Sequence, residues 1–368
     1  MNPFPLSLYI HLPWCEKRCP YCDFNVTTSI PDNFQAISKA LISDLENSSD
    51  FIQNRKFASV YFGGGTPSLA DPKVHENIVS WLINKKLLQD NIEITLECNP
   101  KETYLENLNR FKNIGINRFS LGIQSFDQEV LNGLGRNHSS KEAFNALDAL
   151  QKVNARKTVD LMYGCPKQTL DKAMKDVEIV VNSNINHLSY YQLTIEPNTV
   201  FFSKTPKLPL EEDLSKLENA CKQRLEAGFF KQYEVSSWSK NADYSVHNLN
   251  YWNYGDYLGI GPGSHSKISI NKKSQRFTKF KKVSSYLKDQ SPKLCQSIEG
   301  SAIDIDIAMN LFRLKNGPDL VKLKSYIKLS DDFLEKCKVA QKRGLLLKDS
   351  LVPSQRGFNF LNELIGLF

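Results

Sequence analysis

The sequence predicts an α/β protein, in which a partial, TIM-like (β/α)6 barrel is followed by a smaller α+β C-terminal domain. Over the first 200 residues, short apolar runs alternate six times with amphipathic segments. Most of these runs are apolar at nearly every position, as in parallel strands that are covered on both faces. Six strand–helix units joined by right-handed crossovers give a parallel sheet but are too few for a closed eight-stranded barrel.

Six candidate strands carry this alternation. They cover residues 6–11, 58–62, 92–97, 118–122, 158–162 and 187–193. In the helical segments between them, Thr103, Ser125 and Ser139 each stand three positions before a Glu or a Gln. This spacing is typical of a capping box at a helix N-terminus. In a barrel of this kind, functional side chains gather at the carboxyl ends of the strands.

The alternation stops after residue 200, and three regions are therefore predicted. Residues 1–200 form the barrel, and residues 201–290 form a connecting, barrel-closing segment that includes a helix over 211–227. Residues 291–368 form the small C-terminal domain, with short helices and a hairpin over 345–352.

Composition narrows the class of protein. The chain has 368 residues, of which 41% are hydrophobic and 24% charged, and its net charge of +7 comes from interspersed acidic and basic side chains. We therefore expect neither nucleic-acid binding nor a transmembrane segment or signal peptide. Three of the eight cysteines fall within residues 15–22. This crowding does not fit a secreted disulfide framework, so a cytoplasmic location is expected.

The three crowded cysteines are Cys15, Cys19 and Cys22, and they directly follow the first strand. Three thiolates at this spacing can hold three irons of a [4Fe-4S] cluster and leave the fourth iron without a protein ligand. A zinc site is the alternative, but structural zinc takes four ligands, and the nearby His11 lies within a predicted strand. We therefore expect these three cysteines to be the metal ligands of a cluster.

The segments around them, YIHLPWC and CPYCDF, resemble the opening of the radical S-adenosylmethionine (SAM) family, and more narrowly its HemN/HemW branch. That branch contains oxygen-independent coproporphyrinogen III dehydrogenases and heme chaperones. The resemblance implies a [4Fe-4S] cluster, SAM as cofactor, and an electron donor such as a flavodoxin or ferredoxin. It also implies one-electron cleavage of SAM to methionine and a 5′-deoxyadenosyl radical, without a catalytic residue beyond the cluster.

The resemblance further implies a set of SAM contacts, most of which stand at successive strand ends. They are Tyr9, Tyr21, Gly64, Gly65, Thr66, Glu97, Gln124, Arg136 and Asp160. The glycines offer bare backbone that a ligand could approach closely, and a tight turn is the alternative explanation.

Two functions stay open: a chaperone that binds heme as cargo and passes it to acceptor hemoproteins, and a coproporphyrinogen III dehydrogenase. Three features favour the chaperone. Phe24 stands where the dehydrogenases have a further cysteine, and only 14 residues precede Cys15, whereas the dehydrogenases carry a long N-terminal segment. The sequence HNLNYW, which begins at His247, resembles the HNxxYW motif of the heme-chaperone branch. A SAM-binding module without catalysis is a third alternative.

Two histidines are candidates for the heme iron. Neutral imidazole is a common heme ligand, so His247 is the first candidate, with a packed core histidine as the alternative. His265 is expected on the SAM side of the site or as a second heme ligand. The sequence leaves open a homodimer and a transient association with a membrane.

Overall fold

The computed structural model describes residues 4–270 and 273–368. Within them, strands β1 to β12 cover Leu6–Leu12, Phe57–Gly64, Leu88–Cys98, Arg118–Gln124, Arg156–Tyr163, His187–Gln192, Lys231–Gln232, Ser237–Ser239, Asp256–Ile260, His265–Ile270, Lys273–Thr278 and Leu294–Ile298. Helices α1 to α16 cover Gln35–Glu46, Ser49–Ile52, Pro72–Asn84, Leu105–Ile114, Gln128–Leu134, Ser140–Lys152, Leu170–Val181, Val200–Ser203, Glu211–Ala227, Val246–Trp252, Val283–Lys288, Ser301–Leu311, Leu320–Tyr326, Asp331–Lys342, Gln355–Asn359 and Leu361–Ile365.

The strands form one sheet in the order β12-β11-β10-β9-β1-β2-β3-β4-β5-β6-β8-β7. Strands β1 to β6 are parallel and follow the chain, as expected from the alternation of strands and helices. On its other side β1 pairs in parallel with β9, and beyond β6 the strands run antiparallel. The order begins and ends at different strands, so the sheet is an open barrel, and the predicted α/β class is confirmed.

The helix starts agree with the sequence only in part. Ser139 forms the predicted capping box with Glu142 at the start of α6. The other two predicted boxes are wrong. Ser125 donates instead to Asp176 on α7, and Asp127 caps α5. Thr103 donates to the Asn99 carbonyl oxygen, and α4 begins without a side-chain cap. In both cases the helix begins later than predicted, with Tyr104 and Asp127 at the N-cap, so the predicted hydroxyl lies one or two residues before it.

Three hydrophobic clusters are found within the described residues. The largest lies between the strands and helices that include α1, α3, α6, α7 and α9. A small cluster joins α5 to Phe201 of α8. The remaining one is built from helices α12, α13, α14 and α16 and also takes in Phe4 and Tyr254. The predicted hairpin in this region is reduced to a single bridge between Leu346 and Pro353. The division into three regions stays a prediction, and in the part of the chain that the structure describes no helix is long and apolar enough to cross a bilayer.

Helix α10 closes the amino-terminal end of the barrel. A buried guanidinium, that of Arg118 at the start of β4, holds the segment before this helix. It donates to Glu93 on β3, to Thr158 on β5 and to Asp243, each at 2.9 Å. The His247 backbone N–H, in the first turn of α10, also donates to Glu93, at 3.1 Å. This network closes the amino-terminal end of the barrel, and we call the closed end, formed by α10, Arg118 and Glu93, the floor of the barrel. The carboxyl ends of the strands lie at the opposite, open end.

Candidate functional site

A cavity of about 440 Å³ opens at the carboxyl ends of the parallel strands. All three cysteines of the predicted cluster site line it. Most of the predicted SAM contacts line it as well: Tyr21, Gly64, Gly65, Thr66, Glu97, Gln124, Arg136 and Asp160. Three predicted site residues, Tyr9, His247 and His265, are not part of its lining. The structure thus brings together the residues that the sequence placed at strand ends and leaves out the three others.

The loop that carries the cysteines is pinned at its base. The Cys15 N–H donates to the Thr27 carbonyl oxygen at 3.0 Å, and the Thr27 N–H donates back to Pro13 at 2.8 Å. Within the loop, the Cys22 N–H donates to the Cys19 carbonyl oxygen at 3.1 Å. The tight turn and the pinned base direct the three thiols towards the same cavity.

Two hydrogen-bond donors, one a neutral hydroxyl and one a guanidinium, face two of the cysteine sulfurs. The Thr66 hydroxyl lies 3.7 Å from Cys15 Sγ, and Arg136 Nη1 lies 3.5 Å from Cys19 Sγ. Burial raises the pKa of Cys15 to about 11, although the Thr66 hydrogen bond acts in the opposite direction. A metal that binds here must therefore displace the thiol proton, and the two donors stabilise the thiolate that results.

The donor set fits a cluster held by three cysteines. Among the residues that the structure describes, no three His, Cys, Asp or Glu side chains converge on a position suited to one metal ion. The three thiols nevertheless all line the same cavity. Three thiolates with hydrogen-bond donors at two of the sulfurs are the chemistry that a [4Fe-4S] cluster requires of a protein.

The glycines at the end of β2 allow the backbone to pack closely against other parts of the chain. A Cβ on Gly65 would lie 2.5 Å from the Trp14 carbonyl oxygen, and one on Gly64 would lie 2.8 Å from the His11 ring. The Gly65 N–H donates to the Leu12 carbonyl oxygen at 2.8 Å. The absence of side chains is therefore needed to bring β2 against the cysteine loop, while the other side of this backbone borders the cavity.

Two carboxylates face the cavity from neighbouring parts of the sheet. Glu97 Oε1 accepts from the Tyr61 hydroxyl at 2.8 Å, and its Oε2 accepts from the Gly64 N–H at 3.2 Å. Burial raises the pKa of Glu97 to about 7, and these two hydrogen bonds limit the rise. Burial likewise raises the pKa of Asp160 to about 6, and the Ser120 hydroxyl donates to it at 3.2 Å. Both side chains can accept hydrogen bonds from the hydroxyl or ammonium groups of a ligand.

Arg136 is one of the cationic side chains that line the cavity. Its Nη2 donates to Asn99 Oδ1 at 2.9 Å and to the Gly122 carbonyl oxygen at 2.8 Å, while Nη1 lies 3.4 Å from the Tyr21 hydroxyl. Its Nε is buried and has no partner within the described residues. A guanidinium held in place by several acceptors at the cavity wall places a fixed positive charge beside a ligand in the cavity.

Gln124 ends β4 in a strained conformation. Its φ of 70° lies in the left-handed region, which is uncommon for a residue other than glycine. The Tyr191 hydroxyl donates to Gln124 Oε1 at 2.8 Å, and the register of β4 against β5 shifts at this point. The strain turns the Gln124 side chain into the cavity, an arrangement common at functional sites.

Sequence reasoning missed the polar side chains that hold the ligand-facing ones. Tyr61, Asn99 and Tyr191 also line the cavity, and each contacts one of the predicted residues. Tyr61 and Tyr191 lie within or next to apolar runs and were not predicted as site residues. Their signal was the alternation of Ser59 with Tyr61 and of Ser189 with Tyr191, since residues two apart on a strand share a face.

The three remaining predicted residues lie outside the cavity wall. The Tyr9 hydroxyl lies 3.1 Å from His11 Nδ1, and its ring is stacked on that of Tyr61. His265 is exposed on β10. His247 is only 1% exposed, with Nδ1 2.9 Å from the Ser59 hydroxyl and Nε2 3.0 Å from the Tyr251 hydroxyl. In this conformation the His247 ring has no nitrogen free for a ligand.

Comparison with known proteins gives a consistent result. Residues 9–180 match the radical SAM superfamily. The chain is 38% identical to the heme chaperone HemW of Buchnera aphidicola subsp. Acyrthosiphon pisum, over 99% of this chain and 98% of that protein. It is 35% identical, over the same shares, to the heme chaperone HemW of Escherichia coli K12. The solved coproporphyrinogen III oxidase HemN of Escherichia coli superposes with a TM-score of 0.81 over 99% of this chain and 90% of that one, at 20% identity, and so shares its fold.

Proposed function

Because the chain belongs to the heme chaperone HemW family of the radical SAM superfamily, we propose that it binds heme and transfers it to acceptor hemoproteins. The observation that carries this proposal is the extent of the similarity: 35–38% identity to proteins named heme chaperone HemW runs over 99% of the chain. The similarity thus includes the segments beyond the barrel as well as the SAM site. A cytoplasmic location is part of the proposal.

The cavity supports a [4Fe-4S] cluster and SAM as cofactors. Cys15, Cys19 and Cys22 would hold the cluster as thiolates, with Thr66 and Arg136 donating to two of the sulfurs. When bound, the cluster supplies one electron to the sulfonium of SAM. The residues Tyr21, Gly64, Gly65, Gln124, Glu97 and Asp160 would surround SAM, with the two carboxylates available for its hydroxyl and ammonium groups. An electron donor such as a flavodoxin or ferredoxin, and a homodimer, are also part of the proposal.

The heme ligand is a separate question. His265 is exposed, so its ring can reach heme without rearrangement of the core. For His247 to bind iron, one of its two ring hydrogen bonds must break and the packing around it must open. Tyr9, the remaining predicted SAM contact, lies behind Tyr61 and would act on SAM only through that ring.

Coproporphyrinogen III dehydrogenation is the less supported function. The superposition with HemN is at 20% identity and shows a common fold only. At the rim of the cavity Phe24 is 58% exposed, and it offers an apolar ring in place of a thiol. An exposed phenyl ring can cover a flat apolar ligand but cannot donate a hydrogen atom or bind iron.

The test is anaerobic reconstitution with iron and sulfide. We expect iron and sulfide to bind, SAM to bind to the reconstituted protein, and added heme to give a Soret band that passes to an apo-hemoprotein. Serine at Cys15, Cys19 or Cys22 should abolish cluster formation, and Cys295→Ser, at an exposed cysteine remote from the triad in sequence, is the matched control. Absence of heme uptake together with rapid turnover of coproporphyrinogen III would overturn the proposal.

A further inference from the structure

We propose that His247 is a positioning residue for the cavity carboxylate Glu97, on which it acts through the ring of Tyr61, and that it is not the heme ligand. The inference depends on the proposed function in one respect, namely that SAM is the molecule that Glu97 meets. The arrangement of the three side chains is independent of that assumption. It follows from contacts within the floor of the barrel.

The His247 ring is fixed on every side. Its backbone N–H donates to Glu93 on β3, and Ser245 caps the helix that carries it. Its Nδ1 contacts the Ser59 hydroxyl, which in turn donates to Ser7 on β1 at 2.7 Å. Because Nε2 is also engaged by Tyr251, the imidazole has a single orientation and no free nitrogen.

This fixed ring supports Tyr61. The two rings are stacked with centroids 4.7 Å apart and an interplanar angle of 27°. Ser59 and Tyr61 stand two residues apart on β2, so both project from the same face of the sheet towards α10. The ring of Tyr9 is stacked on Tyr61 as well, and Gly63 leaves the space that both tyrosine rings occupy, since a Cβ there would lie 2.8 Å from Tyr9 and 3.0 Å from Tyr61.

Tyr61 in turn holds Glu97. Its hydroxyl donates to Glu97 Oε1 at 2.8 Å, and the Gly64 N–H donates to the other carboxylate oxygen, Oε2, at 3.2 Å. Two donors from one strand fix both oxygens of the carboxylate, so its orientation depends on where the Tyr61 ring lies. The path from α10 to the cavity is therefore His247, Tyr61, Glu97, with one contact at each step.

Heme ligation by His247 would dismantle this path. The ring is 1% exposed and is surrounded by the rings of Tyr9, Tyr61 and Tyr251. Access for a macrocycle would require α10 to leave the floor of the barrel. That movement would break the contacts of its leading segment with Glu93 and Arg118. One residue cannot both support Glu97 and bind iron in the same conformation.

If His247 acts on Glu97 through Tyr61, then changing either residue should alter the pH dependence of SAM affinity, which simple loss of packing would not do. Donation by Tyr61 favours the ionised form of Glu97, so its loss raises the pKa of this carboxyl. The other titratable groups that act on Glu97, or on which it acts, are Asp160 on β5, Tyr9 on β1, Tyr251 on α10 and Cys98. These groups stay in place when Tyr61 alone is changed.

The experiment measures SAM affinity of the reconstituted full chain from pH 6 to pH 9. Tyr61→Phe and His247→Ala should each weaken SAM binding roughly three- to tenfold, as loss of one hydrogen bond would. Both should move the midpoint of the pH dependence upwards, and the double variant should be no weaker than the worse single one, since both act on one path. Tyr326→Phe removes a buried hydroxyl in the C-terminal core and is the matched control.

Heme uptake is measured on the same variants. His247→Ala should retain the Soret band, and His247→Gln is the second variant in case the alanine variant does not fold. Loss of the Soret band with unchanged SAM affinity, or additive effects of the two substitutions on SAM affinity, would overturn the proposal. If the wild-type chain binds no SAM, the proposed function fails instead. The path is then tested by a carbon-13 NMR titration of Glu97, assigned with Glu97→Gln, whose midpoint must rise in both variants.

Discussion

Replacement of Arg118 by methionine should destabilise the protein markedly, because it removes the cation at the centre of the barrel floor. Arg118 is 1% exposed, and its guanidinium donates to Glu93, Thr158 and Asp243. Breaking a buried ion pair by loss of one partner costs about 3–5 kcal/mol, because the other charge stays buried. Glu93 keeps Arg156 at 2.6 Å and the His247 N–H, so we expect the lower end, about 3 kcal/mol.

The assay is thermal and urea unfolding followed by tryptophan fluorescence. For a chain of 368 residues, a loss of about 3 kcal/mol lowers Tm by about 4 °C, given an unfolding entropy of about 2 cal/mol/K per residue. The control is Lys152→Ala, which removes an exposed ion pair with Asp148 and should change the free energy of unfolding by less than about 0.5 kcal/mol. If Arg118→Met shifts Tm no more than Lys152→Ala, the barrel floor is not held by this network.

Three further predictions concern the site and its surroundings. Gly65→Ala should lower both Tm and the iron content after reconstitution. The new Cβ would lie 2.5 Å from the Trp14 carbonyl oxygen and would push the cysteine loop away. An unchanged iron content would contradict this packing role. SAM affinity should fall as pH drops below about 7, where Glu97 gains a proton and can no longer accept two ligand hydrogen bonds, and Glu97→Gln should flatten this dependence in equilibrium dialysis. Burial lowers the pKa of His75 to about 4, so its contribution to stability is complete above pH 6.5 and is lost as pH falls from 6.5 towards 4. His75→Phe should therefore reduce the acid destabilisation measured by urea unfolding over this range by roughly 3 kcal/mol, and an unchanged slope would show that the ring is protonated in the folded chain.

The sequence was sufficient for the features that depend on local pattern. The apolar runs located β1 to β6 within a few residues, because a strand covered on both faces must be apolar at most positions. The Cys15, Cys19 and Cys22 spacing placed three thiols on one loop, and the topology of a parallel sheet then placed the other strand-end residues beside them. The positions of Glu97 and Gln124, at or next to the ends of β3 and β4, were predictable for this reason, whereas Asp160 lies within β5 and was predicted from the family resemblance.

Features that depend on which side chains meet across the fold were not predictable. In strands that are apolar at most positions, the alternation of Ser59 with Tyr61 and of Ser189 with Tyr191 is a weak signal for the face towards the barrel interior, so Tyr61 and Tyr191 were not predicted as site residues. The same limit applies to the motif at His247, since nothing local shows that α10 inserts its ring between Ser59 and Tyr251. The predicted capping boxes at Thr103 and Ser125 failed because α4 and α5 begin one and two residues further along the chain, with Tyr104 and Asp127 at the N-cap.

The place of β1 in the sheet has a consequence for how the protein is made. This strand lies between β2 and β9, with Leu6 opposite both Phe57 and Asp256. Pairing over so long a stretch of chain is slow, and during synthesis β9 emerges only after the whole parallel run. The cysteine loop that follows β1 thus acquires its final support late. The part of the sheet that borders this loop is therefore complete only when β9 has been made and has paired with β1.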